Sequence, residues 1–290
     1  MNIASFPNRS LIVISGPTAV GKTAFTVSLA EQNDLPIISA DSRQFYREMK
    51  IGTAYPSDEE LSRAKHYFVG MLSIHDYYNV SMFEQSVLAL LPTLFQKHRV
   101  VIMEGGSPLY IEAVCRGIDA LPDPDPQVRQ YVNNLYQNNG LDAIRAQVQT
   151  LDPDYFASAD ANNRQHLIRA LEVCLQTGKP YSQFLHKTRR QRDFNIYKYY
   201  LNRSREQLFE RINRRVDLMM EQGLLEEART LYPQRQLNAL NTVGYKELFD
   251  YFDGKCSLEQ VVTDIKTHTR RYAKKQLTWF KRDYEEILLS

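Results

Sequence analysis

The stretch Leu11-Ile12-Val13-Ile14-Ser15-Gly16-Pro17-Thr18-Ala19-Val20-Gly21-Lys22-Thr23 decides the fold. Its first four residues are apolar and β-branched or Leu, the pattern of a short strand buried on both faces. The stretch from Gly16 fits G-x-x-x-x-G-K-[ST], the phosphate-binding loop. Its two glycines let the chain curl so that successive backbone N–H groups point at phosphate oxygens. A helical pattern over Lys22–Gln32, with Phe25, Leu29 and Ala30 apolar, leads out and adds its N-terminal dipole. Gly16, Pro17, Thr18, Ala19, Val20, Gly21, Lys22 and Thr23 are therefore the expected diphosphate-binding residues. Lys22 would neutralise terminal phosphate charge. Thr23 would ligate a Mg²⁺ bridging the same oxygens, the one cofactor this pattern implies. Any di- or triphosphate satisfies such a loop, so the substrate must be argued from the rest of the chain.

Working outward, further short apolar runs occur at Pro36–Ala40, Tyr67–Leu72 and Val100–Met103, with a helical pattern at Ser81–Lys97. Strands alternating with helices predict an α/β fold with a P-loop NTPase-like core, a parallel sheet flanked by helices. A further strand is expected much later, at Ile196–Leu201. Between them the chain detours. Three prolines in Leu121-Pro122-Asp123-Pro124-Asp125-Pro126 cannot continue a helix or a central strand. From Gln127 to about Asp193 the pattern is helical and polar. This predicts a catalytic core over residues 1–117 and 195–290 with a small all-helical domain inserted at 118–194. After Leu201 the chain reads as helical over Arg205–Leu231, Val243–Phe252 and Leu258–Leu289.

The 290 residues include 36 Lys plus Arg against 34 Asp plus Glu, a formal net charge of +2, which excludes a polycation but leaves room for a local basic face. No apolar run is long enough to span a bilayer, and Met1–Ser10 has no signal-peptide character. Cys115, Cys174 and Cys256 lie far apart, so neither a disulfide framework nor a zinc knuckle is expected. These features predict a cytoplasmic protein in its reduced form, with no membrane partner.

Beyond the phosphate loop, one segment reads Asp41-Ser42-Arg43-Gln44-Phe45-Tyr46 and runs on to Ile51-Gly52-Thr53-Ala54. Another reads Gly105-Gly106-Ser107-Pro108-Leu109-Tyr110. Further along come Asn163-Arg164-Gln165-His166, Arg169-Ala170-Leu171-Glu172-Val173, Arg215-Val216-Asp217, Val243-Gly244-Tyr245-Lys246 and Lys275-Gln276-Leu277-Thr278-Trp279-Phe280. In this order the motifs resemble those of the tRNA dimethylallyltransferases, the tRNA isopentenyltransferase family. The resemblance runs from about Leu11 to Arg282.

It implies transfer of a dimethylallyl group from dimethylallyl diphosphate to an adenine. The acceptor atom is N6 of the adenosine at tRNA position 37, 3′ of the anticodon, and diphosphate is released. By resemblance Asp41 is the general base for the N6 proton. The alternative for an acid at a strand end is a partner of Mg²⁺ or of the loop threonine. Ser107 stands where the family has Thr, with the hydroxyl that helps bind the diphosphate. Arg215 stands where the family places an arginine on the diphosphate, although Arg211 and Arg214 compete for that role. Catalytic roles thus fall to Asp41, Ser107, Lys22 and Arg215.

The resemblance also implies contact with the tRNA anticodon stem-loop, by a protein expected to be a monomer. The contacts would come from Asp41, Ser42, Arg43, Gln44, Ser107 and Arg129, and from Gln165, His166, Leu167, Ile168 and Arg169. Others would be Asn241, Thr242, Val243, Gly244, Tyr245 and Lys246, with Lys274, Lys275, Gln276, Trp279 and Lys281. The residues themselves support an RNA surface. Lys266, Arg270, Arg271, Lys274, Lys275, Lys281 and Arg282 share one window without an acid, interleaved with Tyr272, Trp279 and Phe280. Trp279 reads as a core anchor ahead of a base-stacking platform. The run Lys187–Arg192 reads either as a second clamp or as a solvated linker. Three other readings stay open: a P-loop kinase, a prenyltransferase acting on free AMP, ADP or ATP, and a non-catalytic RNA-binding module.

Overall fold

A computed structural model describes residues 1–186 and 190–289. They form two compact units, Met1–Arg116 with Gln191–Ser290, and Gly117–Arg190. The first unit holds the sheet. Its strands are β1 (Ser10–Ser15), β2 (Ile37–Ser39), β3 (His66–Tyr67), β4 (Val100–Gly105), β5 (Asn195–Asn202) and β6 (Glu285–Leu288). They lie in the order β3-β2-β4-β1-β5-β6 and every pairing is parallel.

The apolar runs sit at the centre because only a central strand buries both faces. Ile12 and Ile14 of β1 face one core, with Val27 and Ala30 of α1 (Lys22–Asn33) and Leu208 and Ile212 from a later helix. Leu11 and Val13 face the other core. There they meet Phe83, Val87 and Leu91 of α3 (Val80–Phe95) and Ile111 and Val114 of α4 (Pro108–Arg116). A short helix, α2 (Asp58–Arg63), precedes β3 and starts with a capping box between Ser57 and Glu60. The connection leaving β1 runs to β2 on one side, and that leaving β4 runs to β5 on the other. The crevice at the C-terminal ends of β1 and β4 is thus a topological switch point, where open parallel sheets bind ligands.

The expected strand Tyr67–Leu72 is only the pair His66–Tyr67. Phe68 and Gly70 adopt left-handed backbone, at φ 62° and 59°, which ends the ladder. The expected helix Arg205–Leu231 divides into α8 (Arg205–Glu221) and α9 (Leu224–Leu231), because Gly223 turns out of helical space at φ 98°. The helix expected from Val243 begins at Tyr245, as α10 (Tyr245–Phe252). The C-terminal helix, α11 (Leu258–Phe280), stops at Phe280, and the chain then supplies β6 alongside β5. Helices α8 to α11 close over a third core that includes Val216, Leu224, Tyr245 and Ile265.

The second unit is helical: α5 (Pro126–Leu151), α6 (Pro153–Ser158) and α7 (Arg164–Thr177). Pro126, the third proline of the linker, starts a helix instead of ending one. It occupies the first turn, while the Asp125 carboxylate accepts from Gln127 N at 2.8 Å and Val128 N at 3.1 Å. Gly140 (φ 76°) breaks α5 into two halves. Val132, Ile144, Val148, Leu167, Ala170 and Leu171 make this unit's own core.

Residues 191–194, expected within the insertion, belong to the sheet unit. Arg192 is largely buried there, pairing with Glu84 at 2.6 Å and donating to carbonyls in the last turn of α4, Val114 and Ala113, at 2.8 Å each. This residue of the run that reads as a clamp or a solvated linker thus caps a helix and pairs with a buried acid. Lys187, Thr188 and Arg189 of the same run lie outside the described residues. The three cysteines are free thiols. Among the described residues no helix is long and apolar enough to cross a membrane.

Candidate active site

The loop between β1 and α1 has the curl that the motif predicts. Gly16, Ala19 and Gly21 take positive φ (147°, 64° and 108°). At Gly16 a side chain is also sterically excluded, since a Cβ would lie 2.7 Å from the Leu201 carbonyl oxygen of β5. Lys22 folds back over the loop and donates to the carbonyls of Gly16 (3.1 Å) and Pro17 (3.0 Å). Burial pulls its pKa down to about 8, against the pull of Glu104 and Asp41 and with the help of Arg215.

Arginines complete the cradle from the far side. Arg203 donates to Val20 O at 3.0 Å, and Arg211 to Ala19 O at 2.8 Å. Arg215 Nη1 lies 3.4 Å from the Thr18 hydroxyl. Arg211 and Arg215 stand four residues apart on α8 and so share a face. Arg211 and Arg214 are both exposed, whereas Arg215 is half-buried. Burial lowers the Arg215 pKa while Asp41 raises it, so the guanidinium lies within reach of that carboxylate's field.

The strand ends β2 and β4 bring the second group of predicted residues to the same crevice. Gly105 allows it: a Cβ there would sit 2.4 Å from the Ala40 carbonyl, so only glycine lets the two chains approach. Asp41 Oδ1 accepts from Arg43 N at 3.0 Å. Its Oδ2 has no hydrogen-bond partner among the described residues. Ser107 Oγ accepts from Ser42 N at 3.0 Å and donates to Ser42 Oγ at 3.1 Å, which joins two of the predicted residues directly.

Two participants carry roles that sequence reading did not give them. Glu104, at the end of β4, accepts from the Thr23 hydroxyl (3.0 Å) and the Thr26 hydroxyl (2.7 Å). Burial raises its pKa, against the hydrogen bonds from Thr26 and Thr23 and the charge of Lys22. The available signal was an acid directly after the apolar run of a central strand. Gln276 of α11, expected on the RNA surface, is buried. Its Oε1 accepts from Thr18 N at 2.9 Å and its Nε2 donates to Gly106 O at 2.7 Å. It therefore ties the phosphate loop to the Gly105–Gly106 turn. The nearby Tyr272 hydroxyl points to Gly106 O at 3.4 Å, its pKa raised by burial and by Asp41.

The expected RNA contacts divide. Arg43 spends its guanidinium on the carbonyls of Asn238, Ala239 and Asn241. Gln44 holds the carbonyls of Thr53 and Ala54. Tyr245 is fully buried, and its hydroxyl donates to Glu227 Oε1 at 2.6 Å, so it is a core residue. Thr242, Val243 and Gly244 are wholly or partly buried beside it, whereas Asn241 and Lys246 are exposed. Along α11 Lys274, Lys275, Trp279 and Lys281 are exposed, while Lys266 is tied to Asp217 and Arg270 to Asn213. Trp279 is 41% exposed under the Arg282 guanidinium, and Phe280 instead is the core anchor. One residue on a helix rotates a side chain by about 100°, enough to exchange core for solvent.

In the helical unit Gln165 and His166 are exposed, Leu167 is buried in the core and Ile168 packs against it. Arg129 and Arg169 grip the buried Glu172, Arg129 through two bonds of 2.9 and 3.2 Å. Both guanidiniums are therefore structural as well as cationic.

A cation-lined cradle and a carboxylate with one free oxygen thus meet at one crevice, an arrangement that can hold a diphosphate beside a base. A family model described as IPP transferase matches residues 44–283. A tRNA dimethylallyltransferase of Azobacteroides pseudotrichonymphae is 52% identical over 277 residues, 96% of this chain and 90% of that protein. A tRNA dimethylallyltransferase of Phocaeicola vulgatus is also 52% identical, over 96% of this chain and 93% of its own length. The crystal structure of the tRNA isopentenylpyrophosphate transferase of Bacillus halodurans superposes with a TM-score of 0.70 at 33% identity, covering 97% of this chain and 89% of that one. By sequence and by fold, the chain belongs to the IPP transferase family.

Proposed function

We propose that this chain transfers the dimethylallyl group of dimethylallyl diphosphate to N6 of adenosine 37 in tRNA, releasing diphosphate. The observation that carries the reading is the convergence of the phosphate loop and the free Asp41 oxygen at one switch-point crevice. Adenine N6 is a weak nucleophile because its lone pair is delocalised into the ring, so the donor must be activated as a leaving group. Lys22, Arg215 and the loop N–H groups face the charge that grows on the departing diphosphate. They are pre-placed, so little reorganisation opposes them as that charge develops. Asp41 Oδ2 accepts the proton that N6 sheds as the C–N bond forms. Ser107 and Ser42 hold the strand ends on either side of that base.

The Thr23 hydroxyl, a hard oxygen donor inside an anion cradle, fits Mg²⁺ and would hold it. Bound there, the ion would supply Lewis-acid neutralisation of the diphosphate. The target base must leave its stack to reach Asp41, and exposed Lys274, Lys275, Trp279 and Lys281 offer cationic and stacking contacts to the surrounding loop.

The test is transfer of radiolabelled dimethylallyl, with Mg²⁺, to unmodified tRNA or to free AMP, by wild type and D41A. Label should enter tRNA at one adenine and fall by about 10²-fold or more in D41A. Label in AMP alone would replace the acceptor with a free nucleotide. Hydrolysis of ATP with no transfer would overturn the reading.

A further inference from the structure

We propose that Glu104 is a metal-positioning residue: its carboxylate, together with Thr23, holds the divalent cation that the diphosphate brings into the loop. This rests on the diphosphate reading of the loop, and adds a residue to it. The difficulty that Glu104 presents is one of sign. Lys22, Arg203, Arg211, Arg215 and the loop amides all favour an anion, yet a carboxylate stands within hydrogen-bond distance of the loop's own Thr23. Ionised, that carboxylate repels diphosphate, which adds to the burial that already raises its pKa, and the low local dielectric strengthens the repulsion.

Among the described residues no ion pair with Glu104 removes the charge. Lys22 directs its ammonium to the Gly16 and Pro17 carbonyls, and both hydrogen bonds to Glu104 come from neutral hydroxyls, those of Thr23 and Thr26. Packing does not demand an acid either, since the preceding β4 residues Val100 to Met103 are fully buried and apolar. A cation between the carboxylate and the diphosphate turns this repulsion into attraction.

The position also suits it. Glu104 lies opposite Ile14 of β1, one residue before the strand gives way to the loop, and opposite Ser39 of β2. A carboxylate at the end of the strand beside the phosphate-loop strand, bonded to the loop hydroxyl, is how phosphate-loop proteins steady Mg²⁺. The donor set is hard oxygen throughout, and Mg²⁺ commonly takes one or two carboxylates with phosphate oxygens making up the rest. Among the described residues no three His, Cys, Asp or Glu side chains cluster to hold a metal. The ion is therefore expected to enter with the diphosphate and not before it.

The experiment compares wild type and E104Q in two binding measurements that need no turnover. The first is Mn²⁺ binding, followed by electron paramagnetic resonance with inorganic diphosphate present. The second is diphosphate binding by calorimetry in EDTA. E104Q should bind Mn²⁺ at least about tenfold more weakly, while metal-free diphosphate binds as tightly as in wild type or more tightly. Wild-type Mn²⁺ affinity in E104Q would overturn the proposal. So would an equal loss of diphosphate affinity with and without metal, which marks a merely structural residue. Should E104Q fail to fold, E104D carries the test: with the charge retained and the reach shortened, Mn²⁺ affinity should fall and metal-free diphosphate affinity should stay. An unchanged Mn²⁺ affinity in E104D overturns the proposal equally. Wild type binding no diphosphate in either condition would sink the diphosphate reading itself, and this proposal with it.

Discussion

Lys22 carries its charge into a place where burial opposes it, and this makes the loop sensitive to pH. With its pKa pulled down to about 8, the free protein loses this cation as pH rises through that value. A bound diphosphate, with its multiple negative charge, restores a higher pKa, so binding takes up a proton above about 8. Without metal, diphosphate affinity should therefore fall as pH rises past 8, by up to about tenfold per unit. K22M should bind weakly with that pH dependence removed. Calorimetric titration from pH 6.5 to 9.5 checks both, and a flat wild-type profile would count against the buried, titrating ammonium. The motif named Lys22 from sequence alone. That the same residue sits near Glu104 and Arg215, which set its charge, depends on three separate elements and could not be read along the chain.

At the scale of elements, α11 shows how one helix serves two purposes. Its exposed face carries Lys274, Lys275 and Trp279, and its inner face sends Gln276 between the phosphate loop and the Gly106 carbonyl. Q276A leaves Thr18 N without its acceptor and Gly106 O with only the long Tyr272 contact, a cost of about 1–3 kcal/mol. It should weaken diphosphate binding measurably while far-UV circular dichroism stays unchanged. The cap of α4 offers a second case. R192M removes the ion pair to buried Glu84 and the hydrogen bonds to the Val114 and Ala113 carbonyls, so chemical denaturation should show a loss of about 1–3 kcal/mol. A variant that lost RNA affinity at full stability would instead restore the clamp reading of that residue. Periodicity revealed α1, α3 and most of α11, because those helices bury an amphipathic face. It missed β6, whose exposed, charged sequence Glu285–Leu288 becomes a strand only because β5 presents an open edge.

At the scale of the whole molecule, the two units each carry a core of their own. L171A removes a fully buried side chain from the helical unit, and should cost that unit about 2–5 kcal/mol. Because the cradle residues described above all belong to the sheet unit, the same variant should bind diphosphate with wild-type affinity at 20 °C. Thermal unfolding and calorimetry on the intact chain test the pair of outcomes. Loss of diphosphate binding in step with the loss of stability would show that the units unfold as one.

The amino-acid sequence by itself determined the parallel α/β class, the phosphate loop, the linker into a helical insertion and the family resemblance. All of these rest on local spacing: glycines at fixed intervals, prolines in a cluster, apolar runs of strand length. The tertiary structure alone decided which cations face the loop and which cap helices. It also placed Trp279 outside and Gln276 inside, and set Glu104 against Thr23. The reason is physical. Propensity and periodicity act over a few residues, whereas burial, charge pairing and the close approach of Gly105 to Ala40 arise between chain segments tens to hundreds of residues apart.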